Sequence, residues 1–587
     1  MEFITVAETF QHIKALSKRT EITIALAHLF QKSSPQEAEA ITYLSLGSLM
    51  APYHEAVIGI AEKSVMKVIA DLFNLSPHDI SRLVKTHGDI GDIIAQGSWS
   101  AQKNLSVLEV YHTLTELTTF KGTGSQEKKL AHFTTLLYTV SPIEAACISQ
   151  IVLGKLRLGF SDMTIIDALS WMIAGDKSLH EHIEQKYNTC ADLGLIAQTL
   201  AAQGIEGLED MTIRVGIPIR PAAAERLEDP EELFKKLGPC IAQPKIDGFR
   251  LQIHMEKPKG SQPRIWFFSR NLIDMSAQFP DLASALLQHD TIGNVIIEGE
   301  AICFDEQGKA FLPFQETVKR KRKHDIAEVA HQMPLTLFIF DIMFLNNRSC
   351  LDLPHTQRRA LLKEFFTHIH SDKIVLIEEK TIRSAQDVLT YFQAEVQKGL
   401  EGIMVKRTDA IYQPGKRNFN WIKLKRTEET GGLADSIDTV IVGYYAGRGK
   451  RAKLGIGAFL VALYDKEHDQ FVTVAKIGTG LSDEQWHEMK KRFDSYAAPS
   501  QPHNVVCDKA LIPDVWITPE IVCAVRADTI TKSPLHTAGA HGEKGGYALR
   551  FPRFISLRSD KKATDANTVQ DIMHLYSLIQ HHHLTSS

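Results

Sequence analysis

The chain has 587 residues, of which 44% are hydrophobic and 23% are charged, and its formal net charge at pH 7 is -4. This length predicts several domains at roughly 150 residues each, and the composition is that of an ordinary globular protein. The slightly negative charge excludes a uniformly basic coat for nucleic acid, although local basic patches still decide the affinity for phosphates.

The seven cysteines are far apart in the chain and form no C-x-x-C pair. This spacing argues against a zinc knuckle or a redox motif and favours free thiols in a reducing compartment. The N-terminus lacks the pattern of a signal peptide, and no apolar run approaches the roughly 18 residues of a membrane-spanning helix. We therefore expect no membrane partner and a cytoplasmic location, or a nuclear one in a eukaryotic host.

The first 210 residues are predicted to be helical, because apolar residues recur at helical spacing in residues 3–30, 107–120 and 165–173. Within this region the segment GKLRLGF places Lys155 and Arg157 between two glycines. Two interpretations stay open for this segment. It is either a helix end that presents cations to a phosphate backbone, or a helix C-terminus whose dipole favours cations.

A proline-containing connector, residues 214–227, leads into short β-like runs that extend to about residue 425. These runs alternate with helical segments, which predicts an α+β domain. In the segment AQPKIDGFRLQIHM, the apolar Leu251, Ile253 and Met255 alternate with Gln252 and His254. This alternation predicts a β-strand with one buried face, directly after a Lys-x-Asp-Gly turn.

A third pattern begins after the glycine pair at residues 431–432. Strand-like runs at 439–445, 458–464 and 471–477 are separated by glycine-rich turns, and a helix is predicted at 568–580. This pattern is typical of a small β-barrel such as an OB-fold. The predicted domains are therefore an all-α domain at 1–210, an α+β domain at 211–430 and a β-barrel domain at 431–587.

Six short segments in the last two thirds of the chain share chemistry that suits a nucleotide and its phosphates. In chain order they are PKIDGFR, SRN, EGEAI, FIFD, EGIMVKR and WIKLK. Each alone has an ordinary structural explanation as a surface turn, a strand edge or a core strand, and short motifs match by accident. The order of all six is far harder to obtain by accident.

In this order and at these intervals, the six segments resemble the motif series of the covalent nucleotidyltransferases. The chain as a whole resembles the ATP-dependent DNA ligases of the cellular type, which carry an N-terminal DNA-binding domain. VGIPIRP resembles the linker into their catalytic domain, and RFPRFISLRSDKK resembles their last motif. The resemblance implies a helical DNA-binding domain, an α+β adenylation domain and a C-terminal OB-fold, and it is loosest around GKLRLGF.

The resemblance implies that Lys245 attacks the α-phosphate of ATP and forms a lysyl-AMP intermediate. AMP would then move to the 5′-phosphate at a nick in duplex DNA, and the 3′-hydroxyl would displace it. A covalent intermediate divides one difficult condensation into easier transfers. The implied cofactors are ATP and Mg²⁺, with Mn²⁺ as a substitute. The implied partners are nicked double-stranded DNA and a candidate sliding clamp, and we expect a monomer.

The other roles that the resemblance implies concern the nucleotide, the metal and the nick. Phe340 is expected to stack on adenine, and Asp247 to lie near the 3′ terminus of the nick. Glu401 is expected to bind the divalent cation, and Glu300 either to help hold it or to accept from the ribose hydroxyls. The expected nucleotide-binding residues are Gln243, Arg250, Arg270, Glu300, Phe340, Arg417, Lys423 and Lys425. Arg558, Asp560 and Lys561 form the R-x-D-K pattern of the last motif and are expected to reach the site when the barrel domain closes.

One departure from the family pattern affects the choice of base. The residue two before Lys245 is often Glu in the family and is Gln243 here. Both side chains can accept a hydrogen bond from the adenine amino group, but Gln can also donate one. The preference for ATP over other nucleotides is therefore left open at this position.

Two basic loops are expected to contact DNA phosphates. One contains Lys319, Arg320 and Lys321, and the other contains Arg448 and Lys450. A solvated loop and a nuclear-localisation signal are the alternatives for the first of them. Contacts to phosphates alone would give nick binding with little sequence preference and a steep dependence on salt.

Three alternative functions share parts of this motif set. An RNA ligase and a capping-type guanylyltransferase would use a similar lysine, and a non-catalytic DNA clamp would keep the fold alone. The long helical region and the C-terminal RFPRFISLRSDKK favour the DNA ligase.

Overall fold

The computed structural model describes the chain except for residues 88, 157, 258–260, 289–292, 305–310, 313–316, 318–319, 321–325, 368, 370, 426–435, 448, 541–544 and 585–587. The chain divides into two compact units, Met1–Lys425 and Arg426–Ser587. The predicted boundary between a helical and an α+β domain at residues 210 and 211 falls inside the first unit and stays a prediction.

The first half of unit 1 is helical, as the spacing of apolar residues predicts. Buried side chains such as Phe3, Phe10, Phe30 and Phe133 form its core. The helices are α1 (Phe3–Ala15), α2 (Arg19–Gln31), α3 (Pro35–Ser45), α4 (Glu62–Phe73), α5 (Pro77–His87), α6 (Ile90–Ile94), α7 (Val107–Thr119), α8 (Ser125–Thr139), α9 (Pro142–Val152), α10 (Asp162–Ala174), α11 (His180–Thr189) and α12 (Leu193–Glu209).

Local sequence fixes where several of these helices begin. At the start of α3, Ser34 accepts from the backbone N–H of Glu37 and the Glu37 carboxylate accepts from the backbone N–H of Ser34. Ser106 and Glu109 form the same reciprocal pair at the start of α7. Such a pair satisfies backbone donors that a helix leaves unpaired at its N-terminus.

The second half of unit 1 contains two β-sheets. The first has the strand order β1 (Ala223–Arg226), β11 (Arg417–Lys425), β10 (Gly402–Arg407), β2 (Cys240–Lys245) and β9 (Lys380–Ile382). The second has the order β4 (Arg264–Ser269), β3 (Phe249–Glu256), β5 (Val295–Cys303), β6 (Leu335–Leu345) and β7 (Arg348–Ser349), and β8 (Ile374–Leu376) pairs with β6. The helices here are α13 (Pro230–Leu237), α14 (Pro280–Leu287), α15 (Ile326–Gln332), α16 (His355–Phe366) and α17 (Ala385–Gln397).

The connector before β1 is fastened to β3 by side chains that the sequence pattern assigned to the wet face. The backbone N–H of Gly216 donates to His254 Nδ1 at 3.0 Å. Gln252 accepts from the N–H of Ile219 at 2.8 Å and donates to the carbonyl of Ile219 at 2.9 Å. Since Gln252 and His254 are both buried, this strand is covered on both faces, and the prediction of one buried face is wrong.

Unit 2 is rich in β-structure. Its main sheet has the order β15 (Ala497–Ala498), β17 (Val515–Arg526), β12 (Ile437–Tyr445), β13 (Ala458–Asp465), β14 (Gln470–Ile477) and β16 (Val505–Val506), and β20 (Arg553–Leu557) pairs with β17. A second pair is formed by β18 (Thr529–Ser533) and β19 (Gly546–Arg550), and the helices are α18 (Asp483–Asp494) and α19 (Val569–Leu584). The predicted order of all-α, α+β and strand-rich regions is confirmed.

Candidate active site

The reactive side chains of the first sheet of unit 1 lie in rows across three strands. Gly402 on β10 pairs with Lys245 on β2 and with Lys425 on β11. Met404 pairs in the same way with Gln243 and Lys423. Residues directly opposite each other in antiparallel strands project from the same face. The lysines of the K-x-D-G and W-x-K-x-K motifs therefore share one face of this sheet.

Glycine is required at the centre of the first row. Gly402 has a φ of +147°, and an added Cβ would lie 2.1 Å from the carbonyl oxygen of Leu424. Any side chain here would push β11 away from β10. The glycine of the EGIMVKR motif thus keeps Lys425 close and places Glu401 at the start of β10.

Glu401 joins the two lysines of this row. Its carboxylate forms ion pairs with the Nζ atoms of both Lys245 and Lys425. Burial alone would raise the pKa of Glu401, but the charges of Lys245 and Lys425 outweigh burial and lower it. Glu401 is therefore an ionised carboxylate in direct contact with the candidate nucleophile.

A cluster of cations surrounds Lys423, in the next row. Burial lowers the pKa of this lysine, and so do the positive charges of Lys425, Arg417, Lys245 and Arg270. Arg270 follows β4 and Arg417 begins β11, and both side chains are exposed. The structure thus brings together cations that sequence analysis drew from separate motifs, in an arrangement suited to a polyphosphate.

The second sheet supplies Glu300, on β5. Its carboxylate accepts from the backbone N–H of Gly248 at 3.1 Å. Withdrawal from water raises the pKa of Glu300 to about 7, although the charges of Lys245 and Arg250 oppose this shift. Asp247, in the turn after β2, is exposed and also raises it. Two predicted metal ligands, Glu300 and Glu401, therefore both lie within electrostatic reach of Lys245.

Arg250 is held by protein groups on both edges of its guanidinium. Its Nε and Nη2 donate to the buried carboxylate of Glu298 at 3.0 and 2.9 Å, and its Nη1 donates to the carbonyl of Ala222 at 2.8 Å. Tyr412 also donates to Glu298, at 2.8 Å. Arg250 therefore links β3, β5 and the connector through three of its five N–H donors. Its contact with phosphates stays a prediction.

Phe340 lies between the two sheets, half-buried, on β6. Its ring meets that of Trp421 edge-to-face, with centroids 6.3 Å apart. Phe338, two residues earlier, is also half-buried and packs against the cluster of Ile246, Ile302, Ile377 and Leu400. The stacking of Phe340 on adenine stays a prediction.

A buried ionic network behind Phe340 was missed by sequence analysis. Arg358 donates from Nε and Nη2 to the Asp341 carboxylate at 2.8 and 3.2 Å, and Lys406 Nζ lies 3.8 Å from Asp341 Oδ2. Burial would raise the pKa of Asp341, but the two cations hold it far below its usual range. Burial lowers the pKa of Lys406 to about 8. One sequence feature indicated this network: Asp341, an acidic residue, ends the apolar run FIFD.

Sequence analysis also missed the residues that contact the side-chain amide of Gln243. Gln243 is buried. Gln243 Nε2 donates to Glu379 Oε1 at 2.7 Å. The same carboxylate is contacted by His355 Nε2 at 2.9 Å and by Arg359 Nε at 3.2 Å. Glu379 lies between β8 and β9, outside every motif, so no sequence signal identified it.

The DNA-contact predictions have different outcomes. Lys155 is half-buried and paired with Glu62 at 2.5 Å, and its DNA contact stays a prediction. Arg320 is buried, with Nη1 donating to the Gln278 carbonyl at 3.0 Å and Nη2 donating to Asp281 at 2.5 Å. The prediction that Arg320 contacts DNA is wrong, because its guanidinium is used inside the protein. Arg157, Lys319, Lys321 and Arg448, and the side chain of Lys450, lie outside the described residues.

The R-x-D-K pattern of unit 2 gathers around a buried aspartate. Arg558 donates to Asp438 at 3.0 and 3.1 Å and to Asp560 at 2.8 and 2.9 Å. Lys561 donates to the same Asp438 at 2.7 Å. The pattern therefore forms one ionic cluster inside this unit, and Asp438 is a member that sequence analysis missed.

The carboxylates beside Lys245 fit a divalent cation. Among the residues that the structure describes, no group of three or more His, Cys, Asp or Glu side chains is arranged to hold a metal ion. Mg²⁺ commonly takes only one or two carboxylates and completes its shell with water and substrate phosphates. Glu300 and Glu401 supply hard oxygen donors of this kind.

Two facing sheets, a lysine at the end of a strand and a surrounding cluster of cations and carboxylates are the attributes of a nucleotidyltransferase domain. Models of three protein families match successive parts of the chain. The DNA ligase N terminus matches residues 2–170, the ATP dependent DNA ligase domain matches 221–425, and the ATP dependent DNA ligase C terminal region matches 452–561.

Curated relatives extend over almost the whole chain. A probable DNA ligase of Dictyoglomus turgidum is 42% identical, over 98% of this chain and 97% of the relative. A DNA ligase of Sulfolobus acidocaldarius is 35% identical, over 98% of both chains. The chain belongs to the ATP-dependent DNA ligases. The predicted ligase class is confirmed, and nothing among the relatives supports the RNA ligase, capping or clamp alternatives.

A solved structure agrees with this assignment at the level of the fold. The structure named "Pmar-Lig_PreS3" is 17% identical to this chain, covers 94% of it over 99% of its own length, and has a TM-score of 0.55. In the part of the chain that is described, no helix has the length and apolar character needed to span a membrane.

Proposed function

We propose that this ligase uses Lys245 as its nucleophile and seals nicks in duplex DNA through a lysyl-AMP intermediate. The observation that carries the proposal is the row in which Lys245, Glu401 and Lys425 meet, beside the cations around Lys423. A phosphoryl-transfer site needs a nucleophile that is held in place and positive charge that faces the phosphates. This row provides both.

Before ATP binds, the lysine is held as an ion pair. Its partner Glu401 also contacts Lys425, and Lys423 lies within electrostatic reach of both lysines. We propose that Lys423 and Lys425 stabilise the negative charge that develops on the α-phosphate as Lys245 Nζ forms its bond to phosphorus and pyrophosphate leaves.

Arg270 and Arg417 extend the positive surface at the exposed edge of the cluster. Guanidinium groups bind phosphate oxygens through paired donors, which suits these two residues to the triphosphate. Phe340 is half-buried between the sheets and offers an aromatic face to the base. Gln243 lies on the same sheet face as Lys245, two residues before it, and is proposed to contact the base edge.

Mg²⁺, with Mn²⁺ as a substitute, is proposed as the metal. When bound, a divalent cation neutralises phosphate charge and helps align the reacting groups. Glu300 and Glu401 are the residues that would hold it. The raised pKa of Glu300, about 7, fits a carboxyl that is ready to accept a cation as its counter-charge.

Predictions about the wider setting rest on the family and on the sequence. They are nicked DNA as the partner, contact with a sliding clamp, a monomeric state and a cytoplasmic location. The roles of Asp247, Arg558, Asp560 and Lys561 at the nick or around pyrophosphate also stay predictions. Relatives that bear the name DNA ligase support DNA as the polynucleotide.

The first test is incubation of the protein with Mg²⁺ and α-labelled ATP, beside α-labelled GTP and labelled NAD. Acid-labile, base-stable label on the protein from ATP would support the lysyl-AMP step. Sealing of a nicked DNA duplex, beside a nicked RNA duplex, then identifies the polynucleotide. Absence of label from every donor, on protein shown to be free of pre-bound AMP, would contradict the proposal.

A further inference from the structure

The amide of Gln243 can take only one orientation against Glu379. Its Nε2 lies 2.7 Å from Glu379 Oε1. A carboxylate can only accept, and the oxygen of an amide cannot donate, so the amide nitrogen must face Glu379. Reversal of the amide would place two oxygens against each other. The other end of the amide, its carbonyl oxygen, is left for a ligand.

Glu379 is well suited to impose this orientation. His355, which is buried, and Arg359 contact it from the side of α16, at 2.9 and 3.2 Å. Burial alone would raise its pKa, but the hydrogen bond from His355 and the charges of His355, Arg359 and Lys406 lower it. The Glu379 carboxylate therefore stays ionised near neutral pH, and an ionised carboxylate can only accept hydrogen bonds.

Orientation of this amide decides which purine it can bind. Adenine carries an amino donor at its 6-position, and guanine carries a carbonyl acceptor there. An amide that presents oxygen binds the amino group of adenine and opposes the carbonyl of guanine, whereas a reversed amide would do the opposite. We propose that Glu379, held by His355 and Arg359, is a positioning residue that makes Gln243 an acceptor and so selects ATP against GTP.

This inference rests on the proposed function, because it assumes that the base of the nucleotide meets Gln243. It addresses the preference for ATP, which the sequence left open because the usual Glu of the family is replaced at position 243 by a side chain that can also donate. A glutamate at this position accepts in every orientation. A glutamine needs a partner that fixes it, and Glu379 is that partner.

The test compares enzyme labelling by α-labelled ATP and α-labelled GTP, as kcat/KM for each, in the full-length protein with Mg²⁺. Glu379→Gln can pair with either end of the Gln243 amide. We expect the ATP-to-GTP ratio of this variant to fall by about tenfold or more, the effect of one mispaired hydrogen bond. Glu378→Gln, which changes the exposed neighbouring carboxylate, is the matched control and should leave the ratio unchanged.

Exchange of the two side chains provides the decisive variant. In Gln243→Glu/Glu379→Gln, the carboxylate at 243 accepts in any orientation and the amide at 379 donates to it. The ATP-to-GTP ratio should return to within about threefold of the wild-type ratio, since the hydrogen bond between the two side chains is restored in the reverse direction and position 243 still presents an acceptor to the base. A merely structural role for Glu379 would not restore base preference in this way.

Several outcomes would overturn the inference. An unchanged ratio in an active Glu379→Gln protein is one, and a folded exchange variant without ATP preference is another. If circular dichroism shows that Glu379→Gln does not fold, the exchange variant decides. On the wild-type protein, purine riboside triphosphate, which lacks the 6-amino donor, should be used about tenfold less well than ATP, and equal use would overturn the inference by itself. A wild-type protein that no nucleotide labels would instead contradict the proposed function.

Discussion

Lys245 and Lys406 project from the same face of the same sheet, on neighbouring strands, but their surroundings differ. The Lys406 side chain is 2% exposed, and its Nζ lies 4.3 Å from the centroid of the Trp421 ring and 5.0 Å from that of Phe340. Lys245 ends β2 beside Glu401, and its side chain is 19% exposed. Position along the strand, rather than residue type or sheet face, separates a lysine that can reach a substrate from one that holds the structure together.

The comparison also limits what a shifted pKa can reveal. A lysine whose pKa is lowered to about 8 would ordinarily be a candidate nucleophile. Lys406 is enclosed by two aromatic rings and Asp341, so no phosphate can approach it. Geometry assigns Lys406 to the support of the site, and Lys245 remains the proposed nucleophile.

Replacement of the two lysines is the largest expected contrast. Lys245→Ala should reduce labelling by α-labelled ATP to background, because the nucleophile is gone, while binding to nicked DNA is kept. Lys245→Arg should fail too, since a guanidinium stays protonated. Lys406→Met should keep labelling, within about tenfold per folded molecule. Labelling of Lys245→Ala, or background labelling in a folded Lys406→Met protein, would contradict the comparison.

The next largest effect concerns the partner of Lys406. Asp341→Asn leaves Arg358 and Lys406 buried without their counter-charge, which should lower the free energy of unfolding by about 3–5 kcal/mol. Asp409→Asn is the matched control, because Asp409 pairs with Arg407 on the surface and such pairs contribute under about 1 kcal/mol. Urea unfolding of both variants measures the difference. Equal losses would show that the buried network does not carry the stability assigned to it.

Replacement of Lys423, a cation near Lys245, tests the proposed catalytic half of the comparison between Lys245 and Lys406. Lys423→Met should lower the rate of enzyme adenylation by about 100-fold, since one group that stabilises the developing phosphate charge is removed. The same change relieves repulsion from Lys425, Arg417, Lys245 and Arg270, so the melting temperature should not fall. Single-turnover labelling and thermal unfolding measure the two effects. A slower reaction that accompanies a lower melting temperature would indicate a structural role instead.

The smallest effect extends the comparison to His254, whose pKa is shifted by burial alone. Burial lowers this pKa from 6.5 to about 3, so the ring is neutral in the folded protein at neutral pH. The unfolded chain takes up a proton below its ordinary pKa, so stability is lost as pH falls from about 6.5 towards about 3. At pH 5 the loss is about 2 kcal/mol.

His254→Asn keeps an acceptor for the N–H of Gly216 but does not titrate. The wild-type protein should lose about 2 kcal/mol more than this variant when urea unfolding at pH 7.5 is compared with unfolding at pH 5.0. Identical losses in the two proteins would show that His254 is not the titrating group.

Sequence patterns predicted most of the elements because each pattern is local. The apolar runs of β4, β5 and β6 and the helical spacing of residues 3–30 record which side of an element is buried. The alternation of β3 was misread on one face, because Gln252 and His254 are covered by a connector that lies over 30 residues earlier in the chain. Local alternation cannot report cover that comes from a distant segment.

The candidate site likewise contains residues that the sequence patterns predicted and residues that they did not. Lys245, Glu401, Lys423 and Lys425 lie inside motifs with recognisable spacing, so their convergence could be predicted. Glu379 is 136 residues from Gln243 and belongs to no motif, so only the folded chain brings the two together. The opposite error occurred at Arg320, where a run of cations suggested a surface but one of them turns inward to Asp281.

The contact between β3 and the connector that precedes β1 has a practical consequence for the design of protein fragments. The family match to the catalytic domain begins at residue 221, but the backbone groups that cover Gln252 and His254 belong to residues 216 and 219. A fragment cut at the family boundary would remove these partners from two buried polar side chains, on the sheet face that also carries Arg250, Glu298 and Glu300. An isolated catalytic fragment should therefore begin before Val215, so that it carries its own cover.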